Sequence, residues 1–179
     1  PPDCISALSA LSVNAGTIIR PFDKRIKGLS FANWTFVKNW GKPFINQVQG
    51  LKQAITALDP GLIRYAGGLW GNYVGFDRNR LQQTPQTSWT SGGQTYYYNY
   101  GTDELADLDA FAKSTGVDVM IQVNISNNNP AMWADMVRYA KERGFTSLKY
   151  YEFGNEIDLE TFNNSGAAIS PAEYASRAA

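Results

Sequence analysis

The chain has 179 residues, of which 44% are hydrophobic and 18% are charged, a composition that is typical of a globular protein and argues against disorder. Basic and acidic residues number 16 each, so the charge balance predicts neither nucleic acid nor an anionic membrane as a partner. Because the chain has no histidine and one cysteine, it excludes histidine-based catalytic triads, histidine-based metal sites and disulfide frameworks. We predict no cofactor and no metal, and any acid–base chemistry must use carboxylates.

The N-terminal residues predict a strand that precedes the main domain. Residues 9–20 alternate weakly, so we assign residues 1–24 to an N-terminal strand segment, of the kind found in an accessory β-sandwich. Residues 25–179 form the main domain, which starts with a strand over residues 25–34. The abrupt start at Pro1-Pro2-Asp3-Cys4 is typical of a processed or trimmed N-terminus, and we expect a secreted or periplasmic protein. No apolar run is long enough to span a bilayer, so we predict no membrane partner.

A helix, a strand and a long loop are predicted next. Residues 44–58 carry apolar side chains at helical spacing, and Asp59-Pro60-Gly61 ends that helix. Residues 62–65 form a short strand that continues into a glycine pair. Residues 70–101 are polar and aromatic with little periodicity, which predicts one long loop of the kind that is usually functional.

The second half of the chain alternates between helices and strands. The predicted elements are a helix with Thr102 as its N-cap and Gly116 as its end, a strand over 117–124, a helix from Asn128-Asn129-Pro130 to about Gly144, a strand over 148–154, and a helix starting at Pro171 with Ser170 as its N-cap. Repeated βα units predict an α/β fold with a parallel sheet.

An open doubly wound sheet and a (β/α) barrel both fit this order of elements. No Gly-x-Gly-x-x-Gly follows the first strand, so a dinucleotide-binding fold lacks support. Polar, aromatic or glycine residues end four successive strands, where the active sites of barrels are built. These residues are Asn33, Trp34, Gly67, Gly68, Asn124, Asn155 and Glu156. We therefore predict that residues 25–179 form the N-terminal half of a (β/α)8 TIM barrel.

Three motifs at the strand ends resemble one group of enzymes. The motifs are Gly154-Asn155-Glu156, Arg64-x-x-Gly67-Gly68 and the segment Gly28–Asn33. Together they resemble the clan A retaining glycoside hydrolases, in particular the β-xylosidase, α-L-arabinofuranosidase and heparanase-like β-glucuronidase families. The sequence departs from the commoner family form at Ala66, where those enzymes have proline.

The resemblance implies a retaining glycosidase that acts on an oligosaccharide or polysaccharide. It assigns Glu156 as the general acid/base and Asn155 as the residue that binds the sugar's 2-hydroxyl. A glycosidic oxygen must be protonated before it leaves, and retention needs a second carboxylate about 5–5.5 Å from the first. The family position of that nucleophile is on the seventh strand, outside these 179 residues. We therefore expect residues 1–179 alone to be inactive and to aggregate, form dimers or require the remainder of the barrel.

The other candidate site residues each have a structural alternative. Asn33, Gly67 and Gly68 are predicted substrate contacts, as are Trp34 and Trp70, which with Tyr73 are candidate sugar-stacking platforms or ordinary loop packing. Asn124 is predicted either to line the cleft or to cap a strand end. Arg64 is expected to pair with Glu152, which precedes Glu156 by an even number of residues and so faces the barrel interior, since buried arginines seldom lack a partner. For Glu156 itself the alternative is a surface carboxylate.

Two other functions also fit the sequence. One is a non-catalytic carbohydrate-binding barrel that keeps the aromatic cleft but has lost a carboxylate. The other is a structural fragment that is inert until its complement binds. A later strand that ends in glutamate would favour the enzyme over both alternatives.

Overall fold

A computed structural model describes residues 16–17, 22–31, 44–65, 67–72, 74–78, 88–91, 94–158 and 168–179. The strands are β1 (Gly28–Phe31), β2 (Leu62–Tyr65), β3 (Val74–Phe76), β4 (Ser88–Ser91), β5 (Gln94–Tyr100), β6 (Asp118–Val123) and β7 (Leu148–Phe153). The α-helices are α1 (Leu51–Leu58), α2 (Thr102–Thr115), α3 (Pro130–Glu142) and α4 (Pro171–Ala178). The predicted mixed α/β fold is confirmed. Within the described ranges, no helix is both long enough and apolar enough to cross a membrane.

Four strands form a parallel sheet in the order β1-β2-β6-β7. Leu62 of β2 pairs with Gly28 of β1 on one side and with Asp118 of β6 on the other, and all three strand pairs are parallel. The connections between these strands contain α1, α2 and α3 in turn. Because the strands are parallel and adjacent, their C-terminal ends meet at one edge of the sheet.

One face of this sheet is covered by helices. Alternate residues of β2 and β6, such as Ile63 and Val119, are fully buried. They join one apolar cluster with side chains of α1, α2 and α3: Ile55, Leu105, Leu108, Phe111, Ala112, Trp133, Met136 and Ala140. Of the residues of opposite parity, Arg64 and Met120 are only partly buried, whereas Gln122 is fully buried. The face of the sheet opposite the helices, which carries Arg64, is therefore the one on which a polar side chain keeps contact with solvent.

Three predicted helix ends are confirmed by their hydrogen bonds. Gly116 ends α2 in the left-handed conformation, with φ of 72°. The side chain of Asn129 accepts a hydrogen bond from the backbone N–H of Met132 at 3.1 Å, and Ser170 caps α4 in the same way. The side chains of Asn129 and Ser170 each accept a hydrogen bond from a backbone N–H that the helix leaves unpaired. Because these caps depend on residue type, the sequence alone predicts them.

Two predicted helix starts are wrong. Gly101 is the N-cap of α2, and Thr102 is the first helical residue, because the extended backbone lies at Gly101. The predicted helix over 44–58 is divided into a short 3-10 helix, Ile45–Gln47, and α1. Gly50 separates the two pieces with a left-handed φ of 78°, a conformation that a continuous right-handed helix cannot contain.

The prediction of one long loop over residues 70–101 is also wrong. This region contains the 3-10 helix Leu69–Asn72 and a three-stranded sheet in the order β3-β5-β4. β4 and β5 pair antiparallel, with Ser91 opposite Gln94. The glycine pair between them is a hairpin signal, and tyrosine favours strands, but a search for amphipathic periodicity detects neither signal.

Other predictions differ from the structure in extent or fall outside it. The strand predicted over 25–34 is shorter in the described region, because Lys24–Ile26 is a 3-10 helix and β1 starts at Gly28. Most of the predicted strand over 9–20 lies outside the described residues, as does most of the segment 1–24.

Candidate active site

Several of the predicted site residues lie together at the C-terminal edge of the parallel sheet. Gly67 and Gly68 follow β2, Asn124 follows β6, and Asn155 and Glu156 follow β7. Three predicted residues, Asn33, Trp34 and Tyr73, lie outside the described residues. Trp70 belongs to the 3-10 helix Leu69–Asn72, and its side chain is outside the described part of the structure.

Arg64 forms the predicted ion pair with Glu152. Its Nε donates to Oε2 at 2.5 Å and its Nη2 donates to Oε1 at 2.9 Å, so the guanidinium binds the carboxylate in a bidentate manner. Gln122 of β6 pairs with Glu152, and Arg64 pairs with Met120, so the ion pair reaches across β6 on the partly open face. The two side chains retain 26% and 31% of their exposure, so the pair is less buried than predicted.

The same guanidinium fixes the orientation of Asn155. Nη2 of Arg64 donates to Oδ1 of Asn155 at 2.8 Å. Because arginine can only donate, the atom of the Asn155 amide that faces it must be the oxygen. The Nδ2 group of Asn155 then donates to Oε2 of Glu156 at 3.2 Å. Glu152, Arg64, Asn155 and Glu156 therefore form one chain of hydrogen bonds that ends at an exposed carboxylate.

The backbone at Glu156 adopts a conformation that is uncommon for its residue type. Its φ is 45°, in the left-handed region. A residue other than glycine in this region costs about 1–3 kcal/mol and persists only where the surrounding structure holds it. Such residues cluster at active sites, where the conformation aims a side chain. The carboxylate of Glu156 is held in this way at the end of β7, and it is exposed to solvent.

Gly154 shows why the motif starts with glycine. Its φ is 77°, and a Cβ atom there would lie 2.6 Å from Cγ2 of Ile157 and 2.8 Å from Cγ2 of Ile125. The N–H of Gly154 donates to the carbonyl of Val123 at 2.9 Å, which ties the turn to the end of β6. Glycine is therefore required both by backbone conformation and by space.

Asn72 is a site residue that the sequence prediction missed. It is fully buried, and its side-chain amide forms two hydrogen bonds with the backbone of Asn155. The N–H of Asn155 donates to Oδ1 of Asn72 at 2.9 Å, and Nδ2 of Asn72 donates to the carbonyl of Asn155 at 2.5 Å. The available signal was an asparagine four residues after a glycine pair, but residues 70–101 were predicted to be a loop without defined structure.

The structure favours the structural alternative for Asn124. This side chain is fully buried, so it is not exposed to a substrate. Its Nδ2 donates to the carbonyl of Val74 at 3.2 Å, and its Oδ1 accepts from the N–H of Ser126 at 2.9 Å. Strand-end capping therefore describes Asn124 better than the predicted substrate contact.

The glycine pair after β2 also has a structural reason. A Cβ atom on Gly67 would lie 2.2 Å from Oγ of Ser30 and 3.2 Å from Nη1 of Arg64, so glycine leaves room for the guanidinium. Gly68 has a left-handed φ of 78°, and its carbonyl accepts from Nε2 of Gln122 at 3.3 Å. Gly67 therefore leaves space for the side chain of Arg64, and Gly68 binds the side chain of Gln122 through its backbone carbonyl.

Tyr100 is a buried tyrosine whose hydroxyl binds the backbone of β6. The hydroxyl of Tyr100 donates to the carbonyl of Gln122 at 3.2 Å, and the side chain is fully buried. Burial raises the pKa of Tyr100 well above its usual value, and the nearby Glu104 charge raises the pKa further. The hydroxyl therefore stays protonated and acts as a fixed donor at any ordinary pH.

A largely apolar cavity lies on the helix-covered side of the sheet and includes Asn124 among its lining residues. It has a volume of about 310 Å³ and is lined by Trp133, Tyr151 and Phe153 among others. Tyr151 and Phe153 alternate with Glu152 along β7, so they lie on the opposite face of the sheet, next to α3. This cavity is not part of the candidate active site.

Comparison with models of known protein families gives no match for this chain, and comparison with curated proteins gives no match either. In the described ranges, no group of three or more histidine, cysteine, aspartate or glutamate side chains is arranged to hold a metal ion. What the arrangement offers chemically is an exposed carboxylate, Glu156, and beside it the amide of Asn155, whose orientation Arg64 fixes.

Proposed function

We propose that this chain is the first half of the (β/α)8 barrel of a retaining O-glycoside hydrolase, with Glu156 as the general acid/base. The observation that carries the proposal is the hydrogen-bond chain Glu152–Arg64–Asn155–Glu156 at the C-terminal ends of parallel strands. It brings together the residues of two motifs, Arg-x-x-Gly-Gly and Gly-Asn-Glu, that are far apart in the sequence.

The order of the strands supports the proposed barrel fold. In a barrel each strand lies beside the next one in the chain, whereas a doubly wound sheet reverses its order at a switch point. The order β1-β2-β6-β7 contains no reversal, and β3, β4 and β5 form a separate small sheet inserted between β2 and α2. In barrel enzymes the active site lies at the C-terminal ends of the strands, where Glu156 is found.

The proposed chemistry has two steps. In the first, Glu156 donates a proton to the glycosidic oxygen while a second carboxylate, from a later strand of the barrel, attacks the anomeric carbon. In the second, Glu156 accepts a proton from the water that hydrolyses the glycosyl-enzyme. Asn155 is positioned by Arg64 to present its NH₂ group beside Glu156, where it would bind the hydroxyl next to the anomeric carbon.

The test is the configuration of the first product formed by the complete protein. A panel of aryl pentosides, glucosides and uronides identifies a substrate, and proton NMR at early times then reports the anomer released. The proposal predicts turnover with retention of configuration. Inversion would contradict it, and binding of saccharides without turnover would favour the non-catalytic carbohydrate-binding alternative.

A further inference from the structure

We infer that Asn72 is a positioning residue for the acid/base, because it holds the turn that carries Asn155 and Glu156. The inference rests on the proposed function of Glu156. Asn72 lies 83 residues before Asn155 in the sequence, in the 3-10 helix that follows β2. Asn72 belongs to none of the three strand-end motifs.

The two hydrogen bonds of Asn72 restrain one peptide segment at both ends. Oδ1 accepts from the N–H of Asn155, and Nδ2 donates to the carbonyl of the same residue. The amide side chain offers a donor and an acceptor side by side in a neutral group, whereas an ionised carboxylate can only accept. The pairing thus depends on the chemical type of the side chain as well as its size.

The turn after β7 needs a restraint of this kind. Gly154 and Glu156 both have positive φ, with Asn155 between them. The turn is tied to β6 through the N–H of Gly154, and the carbonyl of Ile157 accepts from the N–H of Ile169 at 2.8 Å. Asn72 holds Asn155, which lies between these two anchors, so it controls the direction in which Glu156 projects.

Asn72 is itself held rigidly. It is 0% exposed, and the adjacent Gly71 lies so close to β6 that a Cβ atom there would be 1.9 Å from the side chain of Gln122. The 3-10 helix therefore packs directly on β6 and carries Asn72 to the turn. A buried side chain on a tightly packed segment can hold a neighbouring turn in one position, whereas an exposed side chain on a loose segment could not.

The experiment replaces the donor of Asn72 without changing its size. In the complete enzyme, the ionised carboxylate of Asn72→Asp places an acceptor oxygen against the carbonyl of Asn155, so the turn shifts and Glu156 moves away from the leaving oxygen. A displacement of about 1 Å can cost about 10²-fold in rate. We expect kcat/KM for glycosides with poor leaving groups to fall by roughly that factor. Activated aryl glycosides, which need less protonation, should lose much less.

The ratio of kcat/KM between the two substrate classes is the deciding quantity, because it does not depend on how much enzyme is folded. Asn124→Asp is the matched control: Asn124 is equally buried, donates to a carbonyl and accepts from an N–H, but its bonds go to Val74 and Ser126. We expect that variant to leave the ratio unchanged. Asn72→Ser, which also lacks the amide donor, provides a second test if Asn72→Asp does not fold.

Glu156→Gln measured in parallel separates the two levels of the proposal. If Glu156→Gln changes the ratio and both Asn72 variants leave it at the wild-type value, the positioning role is refuted while the acid/base role stands. If Glu156→Gln leaves the ratio unchanged, or the wild-type enzyme shows no turnover, the proposed function fails and the role of Asn72 fails with it.

Discussion

Glu156→Gln in the complete enzyme is expected to slow the cleavage of glycosides with poor leaving groups by about 10²–10⁴-fold, the usual contribution of a general acid. Glutamine keeps the shape of the side chain and can still accept from Nδ2 of Asn155, but it has no proton to give to the glycosidic oxygen. Substrates with acidic phenol leaving groups need less protonation, so their glycosylation step should lose far less.

The measurement is kcat/KM for a series of aryl glycosides that differ in leaving-group acidity. The variant should show a steeper dependence on leaving group than the wild type. Asp158→Asn is a matched control, because Asp158 is also exposed and lies two residues further along the same segment. An equal loss across the series in Glu156→Gln would count against the acid role.

Removing one partner of the Arg64–Glu152 pair is expected to lower the free energy of unfolding by about 1–3 kcal/mol. This lies between the values of about 0.2–1 kcal/mol for exposed pairs and about 3–5 kcal/mol for buried ones. The intermediate value follows because the pair is bidentate, yet its side chains keep 26% and 31% exposure. Arg64→Met should cost more than loss of the ion pair alone, because Arg64 also holds Asn155.

A double-mutant cycle of Arg64→Met and Glu152→Gln isolates the coupling between the two side chains. The double variant should cost less than the sum of the single variants, because neither partner is then left stranded. The Arg78–Asp135 pair is the control: it is also bidentate, with distances of 2.9 and 2.7 Å, but it is more exposed. Equal coupling in the two cycles would mean that the position of Arg64 in the site contributes nothing.

The parts of the fold that could be predicted from sequence are those with local signals. β2, β6 and β7 are short segments in which apolar and aromatic residues predominate, and α2, α3 and α4 have caps or glycine ends within a few residues of their boundaries. The Arg64–Glu152 pair was predictable because alternation along a strand places side chains on a known face. In each case the residues that predict the feature lie within one helix or strand, or follow from the alternation of side chains along a strand.

The parts that were missed depend on contacts between distant segments. The region containing β3, β4 and β5 has weak periodicity, so its strands are defined by pairing with one another. Asn72 can hold the turn after β7 only because the fold brings it next to Asn155. Asn124 caps a strand end only because β3 supplies the carbonyl of Val74 as its hydrogen-bond acceptor. Neither role can be inferred from a sequence pattern that predicts one loop over residues 70–101.

The most direct test of the central claim is the effect of azide on Glu156→Ala in the complete enzyme, assayed with an activated aryl glycoside. Such a substrate still forms the glycosyl-enzyme, but water then reacts slowly because no base assists it. Azide needs no deprotonation, so it should accelerate turnover and yield a glycosyl azide of retained configuration, as identified by proton NMR. A glycosyl azide of inverted configuration, or wild-type turnover with no effect of azide, would contradict the assignment of Glu156 as the general acid/base.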